Sequence, residues 1–153
     1  ASEAVAIQQG LTTTCRILLW QGEDNQTCPA ATYLPEHADK LRTFRDMVLG
    51  TTPEGRRLIA AYYAAAPQLI KILQKHPSIR YRALNLVREL LPIIARARRG
   101  ALPQLPSDLR HRVARLLAAC RPVANKETLA FLDAVEQLTI HRHEYPRRMR
   151  QLR

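Results

Sequence analysis

Cysteine and histidine side chains are the first candidates for chemistry in this sequence. A thiol-dependent enzyme would use Cys28 as its nucleophile, and His37 is the only histidine close to it along the chain. Such a nucleophile needs a lowered pKa, a third group that orients the base, and an oxyanion site. The sequence does not offer candidates for the full set, so a thiol-dependent enzyme using Cys28 is an alternative function rather than the preferred one.

The other histidines make a weak case for metal binding. His141 and His143 are two residues apart, a spacing that does not place two side chains on one face of a helix. His76 and His111 would have to complete such a site from distant parts of the chain. A solvated basic tail explains the histidine pair better, and the sequence predicts neither a metal site nor a cofactor.

Two of the three cysteines are spaced for a disulfide. Cys15 and Cys28 flank a polar, turn-like stretch at 21–26, so the chain can fold back and bring them together. In an oxidising compartment a Cys15–Cys28 disulfide would stabilise the fold by about 3 kcal/mol on the chain-entropy model, and it would exclude Cys28 as a nucleophile. Cys120 follows an apolar helical pattern and is predicted to be a buried small hydrophobe.

Arginine dominates the charge of the chain. The formal net charge is +11, and residues 1–40 hold two basic and five acidic residues, so the remainder carries +14. Arginine favours bidentate contacts with carboxylate or phosphate. We expect the docking charge to come from arginines opposite the apolar stripe of a helix at 78–99 and from the C-terminal tail, namely Arg82, Arg88, Arg96, Arg99, Arg147, Arg148 and Arg150.

A positive field attracts polyanions without choosing among them, so three kinds of partner fit it. An acidic protein surface or larger complex is the preferred one. Nucleic acid is an alternative, although zinc-finger spacing and an RNP-like aromatic run are missing and only 5% of residues are aromatic. An anionic membrane surface is another, although the apolar stripe of 78–99 is wide enough to be buried in the protein's own core.

The elements that must position these residues are helices. Glycine is scarce, and apolar residues recur at helical spacing. Pro67 predicts a bent helix or two helices, and Pro92 predicts a kink. The prediction is an all-α, single-domain bundle of about five or six helices, with an irregular segment at 1–35, a helical domain at 36–140 and a basic tail at 141–153. The predicted helices are 36–49, 54–76, 78–99, 107–120 and 125–140.

Local chemistry at the start of the second of these helices is also predictable. Thr52 is a plausible N-cap, with Pro53 at the first helical position. Across the preceding turn, Asp46 is expected to pair with Arg56 or Arg57. Tyr62 and Tyr63 lie roughly 100° apart around the helix, so one ring should point inward with its hydroxyl hydrogen-bonded.

The longest uncharged stretch runs from Leu58 to Ile70 and is too short to span a bilayer. The chain opens Ala-Ser-Glu-Ala, small and polar residues typical of the site left after a signal peptide is removed. The sequence therefore predicts no transmembrane segment and a periplasmic or extracellular location, or a cytoplasmic one if the cysteines are reduced.

An ordered series of residues runs from Cys28 to Pro67: Cys28-Pro-Ala-Ala-Thr32, Phe44-Arg45-Asp46, Gly55-Arg56, Tyr62-Tyr63 and Pro67. It resembles the bacterial CFI-box domain, whose pattern begins C-F-I-A-T-A-A-Y-G and continues with F-R-D, a G-R pair, a tyrosine pair and S-P. Here Pro29-Ala30 replaces Phe-Ile, and Tyr33-Leu34-Pro35 replaces the Ala-Ala-Tyr-Gly portion. The resemblance implies an exported or envelope protein of bacteria and no particular activity.

Together these observations predict a non-enzymatic, basic helical interaction module of a bacterial exported or envelope protein that docks on an acidic partner. The alternatives are a nucleic-acid-binding or nuclease-like effector and the thiol-dependent enzyme described above.

Overall fold

The computed structural model describes residues 28–140 and contains six α-helices with no β-strand in that range. Short 3-10 turns at Pro35–His37, Leu49–Thr51 and Arg121–Val123 join some of them. The all-α prediction is therefore confirmed. The helices are α1 (Pro29–Tyr33), α2 (Ala38–Met47), α3 (Pro53–Lys75), α4 (Pro77–Ala95), α5 (Ser107–Cys120) and α6 (Lys126–Thr139).

Side-chain caps fix where two of the helices begin. The Thr52 hydroxyl oxygen accepts a hydrogen bond of 3.0 Å from the Gly55 amide, and Pro53 occupies the first turn, which confirms the predicted start of α3. At the start of α6 the Asn125 side chain accepts a 2.9 Å bond from the Thr128 amide. Both caps satisfy amides that have no partner within their helix.

Proline does not divide the long helices. α3 runs continuously through Pro67, so the option of two separate helices there is wrong, and α4 likewise continues through Pro92. Both prolines are exposed, which leaves the carbonyl groups that lose a partner facing water. On α3, the buried residues Ala66 and Ile72 lie on either side of Pro67, so packing against the core holds the helix together across it.

α4 ends four residues earlier than the sequence pattern predicted. Arg96 is its C-cap, with its amide bonded to the carbonyls of the last turn, and Arg99 lies in the connection to α5. Gly100 causes the reversal, because its φ of +76° is in the left-handed region that favours glycine. The turn is fixed by a 3.1 Å bond from the Ala101 amide to the Arg98 carbonyl.

The main core lies among α3, α4, α5 and α6, and α3 packs most extensively on α6. Cys120 is only 7% exposed, as predicted for a buried small hydrophobe, and burial raises the pKa of its thiol. The buried residues of this core are Ile72, Ile79, Leu86, Leu109, Val113, Leu117, Cys120 and Leu132.

The first two helices lie against the long helices of the bundle, with α1 packed on α3 and α2 packed on α4. The segment predicted to be irregular at 1–35 is helical in part of its described portion, because α1 forms between Pro29 and Tyr33. Leu34, directly after α1, is among the most buried side chains, and this anchors the short helix to the bundle. None of the helices between residues 28 and 140 combines the length and the apolar character needed to cross a membrane.

Candidate functional site

A cavity of about 300 Å³ lies between α4 and α5 and gathers cationic and hydrogen-bonding side chains. Residues three or four apart lie on the same face of a helix. The lining residues of α4 lie on one such face, and those of α5 lie on another. We call this cavity the arginine groove. Its lining residues are Tyr81, Arg82, Asn85, Leu86, Arg112, Arg115 and Leu116.

The three arginines of the arginine groove are not equivalent. Arg112 donates two hydrogen bonds to Glu89, one of them 2.7 Å from Nη2 to Oε1. This pairing lowers the pKa of Glu89 and raises that of Arg112, and it holds the Arg112 side chain in place. Arg82 and Arg115 are exposed, and within the part of the chain that the structure describes no ion pair joins either to an acid.

Tyr81 stands at the rim of the arginine groove with 70% of its surface exposed. Tyrosine and arginine are among the residues enriched at energetically important positions of protein interfaces, and a tyrosine ring loses little conformational entropy when it is fixed. An exposed tyrosine beside two arginines that form no ion pair with an acid of residues 28–140 has the composition of a contact surface.

The predicted docking arginines do not form one face. Arg82 lines the arginine groove, whereas Arg88 is exposed elsewhere on α4, with Nη2 4.0 Å from Glu36 Oε1. Arg96 and Arg99 lie at and beyond the end of α4. The tail residues of the prediction, Arg147, Arg148 and Arg150, lie outside the described residues.

Sequence reasoning missed Tyr81, Arg112 and Arg115. The spacing of Arg112 and Arg115 is three residues, which places them on one face of α5. That signal was readable, but the sequence does not say which face of α5 adjoins α4, so the two arginines could not be joined to Arg82.

The motif residues of the resemblance form a second cluster where α2 approaches α3. Arg45 donates to both Asp46 carboxylate oxygens, at 2.7 and 3.1 Å, and to the Tyr63 hydroxyl. The bond to Asp46 is the main cause that raises the pKa of Arg45. The predicted pairing of Asp46 with Arg56 or Arg57 is wrong, because the neighbouring guanidinium of Arg45 takes both oxygens.

The other motif residues are spread along α2 and α3. Arg56 donates instead to the Gly50 carbonyl oxygen at 3.2 Å, across the turn that precedes α3. Phe44 is half-buried on α2, Gly55 is buried in the first turn of α3, and Pro67 is exposed three turns later. Of the motif residues of α2 and α3, Arg45, Asp46 and Tyr63 form one cluster, and the others lie along the two helices.

Tyr62 connects α1 to the bundle. Its hydroxyl accepts a 3.2 Å bond from the Ala30 amide and lies 3.5 Å from Cys28 Sγ. Its ring lies 5.6 Å from that of Phe131 on α6 and 5.5 Å from that of Tyr63, centroid to centroid. The hydroxyls of both tyrosines are hydrogen-bonded, as expected for aromatic side chains that pack inward.

Cys28 and His37 have different partners. The Cys28 thiol contacts the Tyr62 hydroxyl, whereas His37 Nε2 lies 3.6 Å from Glu36 Oε1. The structure therefore does not bring together the nucleophile and base that a thiol-dependent enzyme would need. Cys28 and Cys120 are both free thiols here, and Cys15 lies outside the described residues, so the Cys15–Cys28 disulfide stays a prediction.

Metal binding finds no support between residues 28 and 140, where no three histidine, cysteine or acidic side chains are grouped to hold an ion. His76 ends α3 and His111 lies on the exposed side of α5, where its Nδ1 is 2.8 Å from the Ser107 carbonyl oxygen. His141 and His143 lie outside the described residues.

Replacing Tyr62 with phenylalanine should make stability less sensitive to alkaline pH. Burial, the main cause, raises the pKa of Tyr62 above its ordinary value of 10.0, so the unfolded chain releases this proton first. The wild-type protein therefore loses stability as the pH rises above that value, and the variant lacks this loss. At neutral pH the variant should be less stable by about 1 kcal/mol, since the Ala30 amide loses its acceptor.

Urea unfolding of both proteins from neutral pH to pH 11 measures this difference. Groups far from Tyr62 are the same in both proteins, so their contributions to the pH dependence cancel in the comparison. A stability gap that stays constant or widens above pH 10 would show that Tyr62 ionises at least as easily in the folded protein as in the unfolded chain, which would contradict the prediction.

Comparison with known proteins gives this chain no relative: no protein-family model, no curated protein and no solved structure matches it.

Proposed function

We propose that this chain is an interaction module that binds an acidic protein partner through the arginine groove. The observation that supports it is the convergence of Arg82, Arg112 and Arg115 on one cavity between α4 and α5. Two of these guanidinium groups have no acidic partner among the described residues, so they can bind a partner's carboxylates without first breaking an ion pair.

The chemistry of the lining matches carboxylate side chains. A guanidinium group binds a carboxylate through two parallel hydrogen bonds, which adds orientation to attraction. Asn85 adds amide donors, and Leu86 and Leu116 supply an apolar floor for the methylene groups of a glutamate. At about 300 Å³ the cavity suits one or two side chains of a partner rather than a whole helix.

The test is the binding of a fluorescently labelled decaglutamate peptide to the wild-type protein and to two double variants. Arg82→Glu with Arg115→Glu should weaken binding at least tenfold and reduce its salt dependence, because two cations that bind carboxylates are replaced by anions. The matched control, Arg96→Glu with Arg98→Glu, makes the same change in net charge at the far end of α4. Equal losses in both variants would mean that the peptide follows net charge and not the groove.

Nucleic acid is the second candidate, and the exposed ring of Tyr81 beside Arg82 is the observation that favours it. A base stacked on Tyr81 would place its phosphate near the arginines. A single-stranded oligonucleotide whose binding falls at least fivefold in a Tyr81→Ala variant, and which outcompetes decaglutamate, would favour nucleic acid over an acidic protein.

Membership of the CFI-box family and an exported, bacterial location remain part of this proposal. The Cys28–Tyr62 and Arg45–Tyr63 contacts, through which residues of the resembling series meet, support the family membership, and the location follows from the resemblance alone. Thiol counting on the protein purified from its native host without reductant tests the location. One free thiol of three indicates an oxidising compartment and the Cys15–Cys28 bond, whereas three free thiols indicate a reducing one.

A further inference from the structure

A second cavity, of about 390 Å³, lies where α4 ends and the chain turns toward α5. We call it the end groove. It combines six apolar or proline residues with two arginines and has no acidic or aromatic residue in its lining. Its lining residues are Pro92, Ile93, Arg96, Ala97, Arg98, Ala101, Leu102 and Pro103.

The end groove is built on a fixed turn. Gly100 adopts its positive φ there, and its amide donates a 3.0 Å hydrogen bond to the Thr51 hydroxyl oxygen, which ties the turn to the segment before α3. The bond from the Ala101 amide to the Arg98 carbonyl oxygen closes the reversal. These two hydrogen bonds fix the backbone that carries Arg96, Arg98 and Arg99.

The segment that forms the end groove carries only positive charge. Between Glu89 and Asp108 the sequence has no acidic residue, and Arg99 is exposed in the turn next to the lining arginines. Across the Thr51 contact, the first turn of α3 carries both signs of charge, because Glu54 lies beside Arg56, whose side chain reaches the Gly50 carbonyl oxygen.

We propose that the end groove binds the surface of an anionic phospholipid bilayer. Arginines place their charge among lipid phosphates while their stems lie along apolar surface, and Ile93, Leu102 and Pro103 would face the boundary between headgroups and acyl chains. Nucleic acid fits less well, because the lining has no aromatic ring for stacking. An acidic protein fits the arginine groove better, because Tyr81 and Asn85 add hydrogen-bonding groups there that the lining of the end groove lacks.

Flotation with vesicles tests this surface on the full chain. The wild-type protein should bind vesicles of phosphatidylcholine and phosphatidylglycerol in equal parts, and should not bind phosphatidylcholine alone. Arg96→Glu with Arg98→Glu should lower the partition coefficient at least tenfold, since each basic residue at an anionic surface favours binding severalfold. Arg82→Glu with Arg115→Glu, which changes net charge equally at the arginine groove, should lower it less than threefold.

A Leu102→Gln variant separates the apolar contribution, because it should weaken vesicle binding severalfold while the salt dependence stays the same. Circular dichroism of each variant confirms that helix content is retained. Equal losses in the two charge-reversal pairs, or wild-type binding that is unaffected by Arg96→Glu with Arg98→Glu, would overturn the proposal. Loss of oligonucleotide binding in that pair, with vesicle binding retained, would assign the end groove to nucleic acid instead.

The proposal stands apart from the acidic-protein function. The decaglutamate assay depends on Arg82 and Arg115, and the vesicle assay depends on Arg96 and Arg98, so each can fail while the other succeeds.

Discussion

Replacing Gly55 with alanine is expected to lower the free energy of unfolding by at least about 2 kcal/mol. A Cβ at this position would lie 2.1 Å from the Leu49 carbonyl oxygen and 2.6 Å from Leu49 Cα, distances that no side-chain movement can relieve because both atoms belong to the backbone. Alanine's better helix propensity offsets only about 1 kcal/mol of this cost. The clash therefore outweighs the gain in helix propensity, and the substitution destabilises the protein.

The same contact explains why α3 can begin where it does. The Gly55 amide donates to the Thr52 side chain, while the absence of a side chain lets the preceding 3-10 turn lie directly against the first turn of α3. Alanine would separate the two and weaken the cap. Part of the destabilisation should therefore be lost helix content at the start of α3.

Two other glycines provide matched controls. At Gly50 a Cβ would lie 3.3 Å from the Arg45 carbonyl oxygen, so Gly50→Ala should change stability by less than about 1 kcal/mol. At Gly100 a Cβ meets nothing within 4 Å, but φ is +76°, so Gly100→Ala should cost about 1 kcal/mol through backbone strain. Urea unfolding of the three variants checks the order, and a Gly55→Ala variant as stable as Gly50→Ala would contradict the contact with Leu49.

Leu132→Ala is expected to cost about 3 kcal/mol, the second large effect. Leu132 is 2% exposed and belongs to the core cluster that joins α6 to α3, α4 and α5. Truncation removes apolar surface and leaves a cavity, and both effects destabilise the fold because the core around Leu132 is built from three other helices, none of which can fill the space alone.

Leu138→Ala is the matched control, because Leu138 lies on the same helix but is half-buried and outside the core cluster. It should cost about 1 kcal/mol, in proportion to the smaller area it loses. Thermal and urea unfolding of both variants measure the difference. Equal costs would place the stabilising core elsewhere than around Leu132.

The helices were largely predictable, and the reasons are local. Thr52 and Pro53 mark the start of α3. The Thr52 side chain accepts a hydrogen bond from a free amide of the first turn, and Pro53 has no amide hydrogen that needs a partner. The end of α4 was harder to predict from the sequence. Arginines at 96, 98 and 99 continue the helical pattern, so only the left-handed glycine and its bond to Thr51 show that the chain has already turned.

The candidate sites were less predictable because they depend on contacts between helices. Arg82 was identified from its position on α4, but its companions Arg112 and Arg115 come from α5, and their proximity depends on how two helices pack. Asp46 illustrates the same limit at short range. Its position across the turn from Arg56 suggested a pair, whereas Arg45, held also by the Tyr63 hydroxyl, binds both of its carboxylate oxygens.

The single continuous helix α4 carries both grooves, with Arg82 and Arg96 fourteen residues apart, or about 21 Å at the usual helical rise. A rigid spacing of that length lets both be occupied at once. Lipid bound at the end groove would hold the arginine groove at a set height above a bilayer, and a partner anchored in the same membrane would then meet it at a raised effective concentration. Weak binding at each groove would then be enough for a stable complex, because two sites linked by one helix bind more tightly together than either does alone.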